Sequence, residues 1–230
     1  MTASFLPRAV AVVRATAVTV FVGLVALTGA GGTSVVLAAP AAADPSGMYG
    51  DPAKAAQYWA AQSFNNNCVL MSVAGVVGQI TGQMPSEQQI IELAQSTPSV
   101  AASGTTVYTD TEGEGVDTRD IAVLLTHYGI QATTSEDAKG EAALTALENA
   151  LGSHHAVMIP VSSATIWEGH HAQTGDHEVV VIGVDAGNGV AHLNDSGTDD
   201  GRDEQVPVAT FMSAWGGGDF EMTVTQQTVQ

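Results

Sequence analysis

Cysteine is almost absent: one thiol, Cys68, in 230 residues. A lone cysteine excludes an intramolecular disulfide framework and any cysteine-rich zinc site. Basic residues are scarce as well, six Lys+Arg against 24 Asp+Glu, for a net charge of −18. Phosphate contacts need clustered positive charge, so nucleic acid is not an expected partner, and the same acidity opposes docking on anionic lipid. Beyond Ala43 no apolar run is long enough to span a bilayer. What is present is a high aliphatic content with moderate Gly and Pro, so the bulk of the chain is expected to fold.

The N-terminus has a different character. Arg8 and Arg14 precede an apolar run from Ala15 to Leu27, and small residues continue up to Ala41-Ala42-Ala43. This is the pattern of a secretory signal peptide over residues 1–43, cleaved before Asp44, which predicts a secreted or extracytoplasmic protein of the cell envelope. An uncleaved anchor is the rival reading; the Gly-Ala-Gly-Gly break at Gly29 to Gly32 disfavours a continuous spanning helix. After cleavage no membrane contact is expected. All 24 acids lie beyond Ala43 and only Lys54, Arg119, Lys139 and Arg202 remain as bases, a net charge of −20. The remainder suits one domain, which at that size buries about 70% of its extended-chain surface. A leftover thiol in an oxidising compartment calls for an explanation.

Residues 44–60 read as a loose, polar leader and 61–230 as the folded domain. Cys68 to Ile80 has helical spacing at Val69, Val73, Val76, Val77 and Ile80, with Asn65-Asn66-Asn67 supplying turn and N-cap chemistry. Ser86 to Gln95 is a second helix opened by a Ser86/Gln89 capping box. Ser96 to Gly115 is a long loop. Asp117 to Tyr128 and Glu141 to Leu151 are further helices. The period then changes. Ala156 to Val161 is a strand, and Glu178 to Val184 is a continuous apolar run expected to be buried on both faces. Ala186 to Gly189 is a hairpin turn, Val190 to Asn194 its returning strand, Pro207 to Trp215 a short helix and Phe220 to Val229 a final strand. Helices first and antiparallel strands second predict an α+β fold.

Cys68 sits where a helix begins. The partial positive charge and free N–H groups of a helix N-terminus favour a thiolate over a thiol. The bland alternative is a buried cysteine acting as a small apolar residue. Thiol catalysis also needs a base, a group that orients the base, and donors for an oxyanion. Gln62, six residues before Cys68, offers a side-chain amide. His177 opens the buried strand, and the hairpin brings it beside Asn194 and Asp195. Regular pairing about the turn places Asn194 on the His177 face and points Asp195 away; a bulge would reverse this.

Gln62 through Cys68, with a helix starting at the cysteine, resembles the active-site segment of papain-like cysteine peptidases. His177-Glu-Val-Val-Val-Ile-Gly-Val-Asp, the Gly-containing turn, Val190-Ala-His-Leu-Asn-Asp195 and the helix ending at Trp215 resemble more narrowly the bacteriocin-leader (double-glycine) peptidase-like branch. The resemblance implies a papain-like fold, with the helix bearing the cysteine packed on a C-terminal antiparallel sheet. It implies Cys68 as nucleophile, His177 as base, Asp195 as orienter and Gln62 as oxyanion donor, acting on a peptide or protein substrate without a cofactor. The sequence departs from that branch at Val69, where Gly or Ala is usual, and at Ser196, where Pro is usual. The reading is therefore a secreted thiol hydrolase, with acyl transfer open to the same residues. A catalytically silent, envelope-associated binding module on the same fold is the alternative. Histidine-based metal binding at His154-His155 or Glu168-Gly-His170-His171 is a weaker third option, because adjacent histidines lack helical ligand spacing.

Overall fold

The structure is a computed structural model and describes residues 41–230 apart from 42, 45, 110, 112 and 171–173. The expected signal segment therefore lies outside the described residues, Ala41 and Ala43 excepted, as does His171. No helix among the described residues is long and apolar enough to cross a membrane.

The chain enters through a strand, β1 (Met48–Gly50), and one helical turn, α1 (Pro52–Ala55). Asp51 caps that turn by accepting from the Lys54 N–H, and Pro52 opens it with a preset φ. The expectation of a loose leader over 44–60 is corrected here: Met48 pairs with Asp185, Tyr49 with Val184 and Gly50 with Gly183. Gly183 permits the docking. A Cβ there would lie 2.6 Å from Pro52 Cγ and 3.1 Å from Met48 Sδ, so a side chain would push the leader off.

Four helices follow: α2 (Cys68–Thr81), α3 (Glu87–Ser96), α4 (Ile121–His127) and, after strand β2 (Ala132–Ser135), α5 (Glu141–Gly152). Gly82 ends α2 in the left-handed conformation. The capping box of α3 forms as read: Ser86 accepts from the Gln89 N–H and the Gln89 side chain accepts from the Ser86 N–H. Ser86→Ala removes half of that exchange and is expected to cost about 1 kcal/mol, measurable as a lower urea midpoint at unchanged slope. The helix expected over Asp117 to Tyr128 begins instead with a 3-10 turn, Thr118–Asp120. Buried Asp120 turns back to accept from the Val100 N–H at 2.7 Å and the Ser99 hydroxyl at 2.7 Å, which ties down the long loop.

The remaining elements are β3 (His155–Val161), α6 (Ser163–Glu168), β4 (His177–Asp185), β5 (Val190–Asn194), β6 (Arg202–Pro207), α7 (Val208–Gly217) and β7 (Met222–Thr228). All seven strands pair antiparallel, in the order β2-β7-β3-β4-β5-β6, with β1 on β4. β2, α6 and β6 carry no clear apolar period. β2 is held by pairing to β7, where the Thr134 and Thr223 hydroxyls meet at 2.7 Å, and β6 is an acidic edge strand. Pro207 ends β6 and stands before α7, where the sequence pattern put it inside the helix. β7 starts late because Asp219 and Phe220 take φ of 55° and 58°, which no strand residue adopts.

One sheet face, bearing Ala156, Met158, Val180 and Ile182, packs on Leu70, Val73 and Val77 of α2 and on Ile90, Ile121 and Leu124 beyond them. The other face, bearing Val157, Ile159, Val179 and Val181, packs on Leu147 of α5 and on Phe211 and Trp215 of α7. β4 is thus buried on both sides, as its unbroken apolar run implied. The fold is α+β, with the first residue of β4, His177, sharing a cleft with Cys68 at the start of α2.

Candidate active site

Cys68 is half-buried in the first turn of α2. The asparagines before it do not cap the helix as expected. Asn67 occupies the N-cap position but makes no capping bond; its amide donates instead to Glu87 Oε1 at 2.8 Å, and the Ser63 N–H donates to the same oxygen at 2.6 Å. Burial would raise the Glu87 pKa, but these hydrogen bonds outweigh it and hold the group below its ordinary value. Asn66 clamps the other side, donating to the carbonyls of Thr111 and Glu114 and accepting from Tyr108 Oη at 2.9 Å. Both asparagines therefore brace the loop that presents Cys68, and the N-cap side chain leaves the first N–H groups of α2 uncapped.

His177 is buried at the head of β4, and its Nε2 lies 2.6 Å from Asp195 Oδ1. His177 and Cys68 line the same cleft, and the thiol bears on the imidazole electrostatically. Asp195, not Asn194, is the neighbour, and a β-bulge decides this. Gly183 pairs with His192 near the turn, but Val181 pairs with Leu193 beyond it, so Ile182 is the extra residue. That shift of one moves Asp195 onto the His177 face. Asn194 turns away and donates to the carbonyls of Ala55 and Tyr58.

Asp195 is fully buried and heavily engaged. The Gly197 N–H donates to Oδ1 at 2.7 Å and Trp167 Nε1 donates to Oδ2 at 3.0 Å. Burial pushes its pKa up, but the His177 hydrogen bond and charge, the Gly197 N–H and Trp167 together hold it below the ordinary carboxylate value. Burial likewise pulls His177 down, yet the hydrogen bond to Asp195 and the charges of Asp195 and Cys68 carry it up to about 10. The imidazole is thus built to stay protonated beside the thiol. The Trp167 ring lies 5.1 Å from the imidazole and screens it from water. Gly197 leaves room for both: a Cβ would come within 2.6 Å of Trp167 Cζ2 and 2.9 Å of His177 Cε1. Burial and the nearby Asp195 charge push Glu204 up to about 7.

Gln62 stands apart from this cluster. Its N–H donates to the Ser196 carbonyl at 2.8 Å, its Oε1 accepts from Ser196 Oγ at 2.9 Å and its Nε2 donates to the Phe64 carbonyl at 2.8 Å. The cleft over Cys68, of about 480 Å³, is lined instead by Phe64, Asn65, Asn66, Val69, Pro160, His177 and Glu178 and by the end of the long loop at Gly113, Gly115 and Val116. Ser196, which replaces the usual Pro, thus holds the Gln62 side chain. His170 pairs with Glu168 at 3.1 Å on the surface, away from the cleft lining. Among the described residues no three or more His, Cys, Asp or Glu gather as metal ligands. Sequence reasoning missed Trp167, whose short helix has no period to detect. It also passed over Glu178, although an acid inside an apolar run was a visible signal.

No family model matches the chain. An uncharacterized protein of Mycobacterium tuberculosis is 48% identical over 215 residues, which is 85% of this chain and 92% of that one. An uncharacterized protein of Mycobacterium bovis matches to the same extent, 48% over 215 residues, 85% of this chain and 92% of its own. Among solved structures, a C39-like peptidase from Bacillus anthracis superposes with a TM-score of 0.51 at 17% identity, over 75% of this chain and 95% of that one. A double glycine motif protease from an AMS/PCAT transporter, in complex with the leader peptide, gives 0.48 at 17% identity, over 73% and 89%. The chain belongs to the family of these mycobacterial proteins, and its fold is that of the C39-like, papain-type cysteine peptidases.

Proposed function

We propose that this protein is a thiol hydrolase acting on peptide or amide bonds outside the cytoplasm. The observation that carries the reading is the imidazole of His177, held by Asp195 at 2.6 Å and lining one cleft with Cys68 at a helix start. Cys68 as thiolate attacks the substrate carbonyl carbon, and the C=O electron pair moves to oxygen. The backbone N–H of Cys68 is the donor for that oxyanion; Gln62, held by Ser196 and Phe64, joins it only if its amide turns into the cleft. The His177 imidazolium protonates the leaving amine as the C–N bond breaks, leaving an acyl-thioester on Cys68. Neutral His177 then takes a proton from water, hydroxide adds to the thioester carbon, and the thiolate departs. An amine in place of water gives acyl transfer with the same groups.

Export rests on the signal-peptide pattern at residues 1–43. The silent-module alternative keeps the fold and dispenses with thiol reactivity. Iodoacetamide alkylation of Cys68 at pH 6 separates the two. The wild type is expected to react about tenfold faster than His177→Ala, because the imidazolium holds the thiolate. Equal rates would sink the ion-pair mechanism.

A further inference from the structure

Glu178 follows His177 on β4 and is 2% exposed, yet both of its carboxyl oxygens are buried without a hydrogen-bond partner. It lines the cleft together with Cys68. A buried carboxyl left unpaired is costly, and the hydrolytic steps above make no use of it. The strand itself is well tied: Ser72 Oγ donates to the Glu178 carbonyl at 3.1 Å, and Pro160 lies opposite on β3. These contacts fix the backbone and leave the carboxyl without a partner.

We propose that the cleft beside Cys68 is a subsite for the cationic side chain of a lysine or arginine next to the bond attacked, with Glu178 at its base and Val69, Val116 and Pro160 along its walls. The apolar walls suit the methylene stem of such a residue, and the two buried, unpartnered oxygens suit a guanidinium fork or an ammonium head once the cleft admits one. Val69, bulkier than the residue usual after the cysteine, contributes one of those walls. The charged groups facing Glu178 favour a cation. Burial first, then Cys68 and Glu221, push its pKa well above the carboxylate range, and only His177 opposes them. A cation placed beside the carboxyl would favour its ionised form. Arg119, next in the chain to the cleft residue Thr118, is committed to Asp117 through bonds of 2.8 and 2.6 Å.

The words "bond attacked" rest on the hydrolase reading, so the test carries one arm that needs no thiol chemistry. In the first arm, peptidyl vinyl sulfones with arginine or its neutral isostere citrulline at either of the two residues before the reactive group are timed for labelling of Cys68. The arginine probe is expected to label about tenfold faster at one position, and Glu178→Gln to bring the ratio near one. In the second arm, the same arginine and citrulline peptides without the reactive group are titrated into Cys68→Ala by calorimetry, with and without Glu178→Gln. A tenfold arginine preference that Glu178→Gln abolishes supports the subsite even if no probe labels Cys68, an outcome that would sink the hydrolase reading alone. Equal binding of both peptides, or a preference that survives Glu178→Gln, overturns the subsite. Melting temperatures confirm that each variant is folded, and Glu178→Met serves in place of a Gln variant that is not.

Discussion

Asp195→Ala is expected to lower kcat/KM for peptide hydrolysis by about 10³–10⁴-fold, close to the floor set by Cys68→Ala. Three donors lose their acceptor at once: His177 Nε2, Trp167 Nε1 and the Gly197 N–H. The imidazole then has neither its orientation nor the charge that keeps it protonated. The pH profile separates this from simple misfolding. With His177 pushed up to about 10, the alkaline limb of wild-type activity lies near that pH. In Asp195→Ala it should fall toward the ordinary histidine value of about 6.5. The same shift appears in stability. A histidine whose folded pKa exceeds its unfolded one stabilises the fold fully below the unfolded value, and that contribution is lost as pH rises from 6.5 through about 10. Glu204, raised from 4.5 to about 7, produces an earlier loss in that lower window. A melting-temperature series from pH 5 to 10 should show both declines in the wild type and lose the alkaline one in Asp195→Ala. Activity within tenfold of wild type, with an unmoved alkaline limb, would refute the orienting role.

Trp215→Ala should be the most damaging single change to stability, by about 3–5 kcal/mol. Trp215 is fully buried in α7, with ring centroids 5.6 Å from Phe211 and 5.4 Å from Phe220. Its Nε1 donates to the Glu221 carbonyl at 2.7 Å, which secures the turn into β7. Truncation opens a cavity on the sheet face opposite α2 and leaves that carbonyl unpaired. For a domain of this size the loss corresponds to a fall in Tm of roughly 10 °C. Trp215→Phe keeps most of the ring and loses the hydrogen bond, so it should cost about 1–2 kcal/mol. Thermal unfolding of the two variants checks the difference; equal losses would mean that the carbonyl bond carries the whole effect.

The elements that could be read ahead of the structure share one property: their signal is local. α2, α3 and β4 announce themselves through apolar period, a capping box and an unbroken apolar run, and each forms within a residue or two of its expected bounds. The missed elements draw their stability from elsewhere. β1 exists because Gly183, far along the chain, leaves room for it, and β6 because it pairs with β5 despite an acidic composition. Asn67 has the right residue type for a cap, but Glu87 holds its Nδ2 and the oxygen that would cap, Oδ1, is left buried without a partner.

The candidate site divides along the same line. Sequence by itself determined that a lone thiol opens a helix and that a histidine opens a buried strand, since both depend on neighbours in the chain. It also marked Asp195 and Asn194 as the pair from which the histidine's partner would come. Only the tertiary structure decided between them, through an extra residue at Ile182 that shifts the register by one. Tertiary contacts alone laid Trp167 over the imidazole and tied Gln62 to Ser196. They also buried Glu178 without a partner at the base of the cleft. Strand register and the meeting of distant segments depend on the packing of the whole domain, which no local window of residues contains.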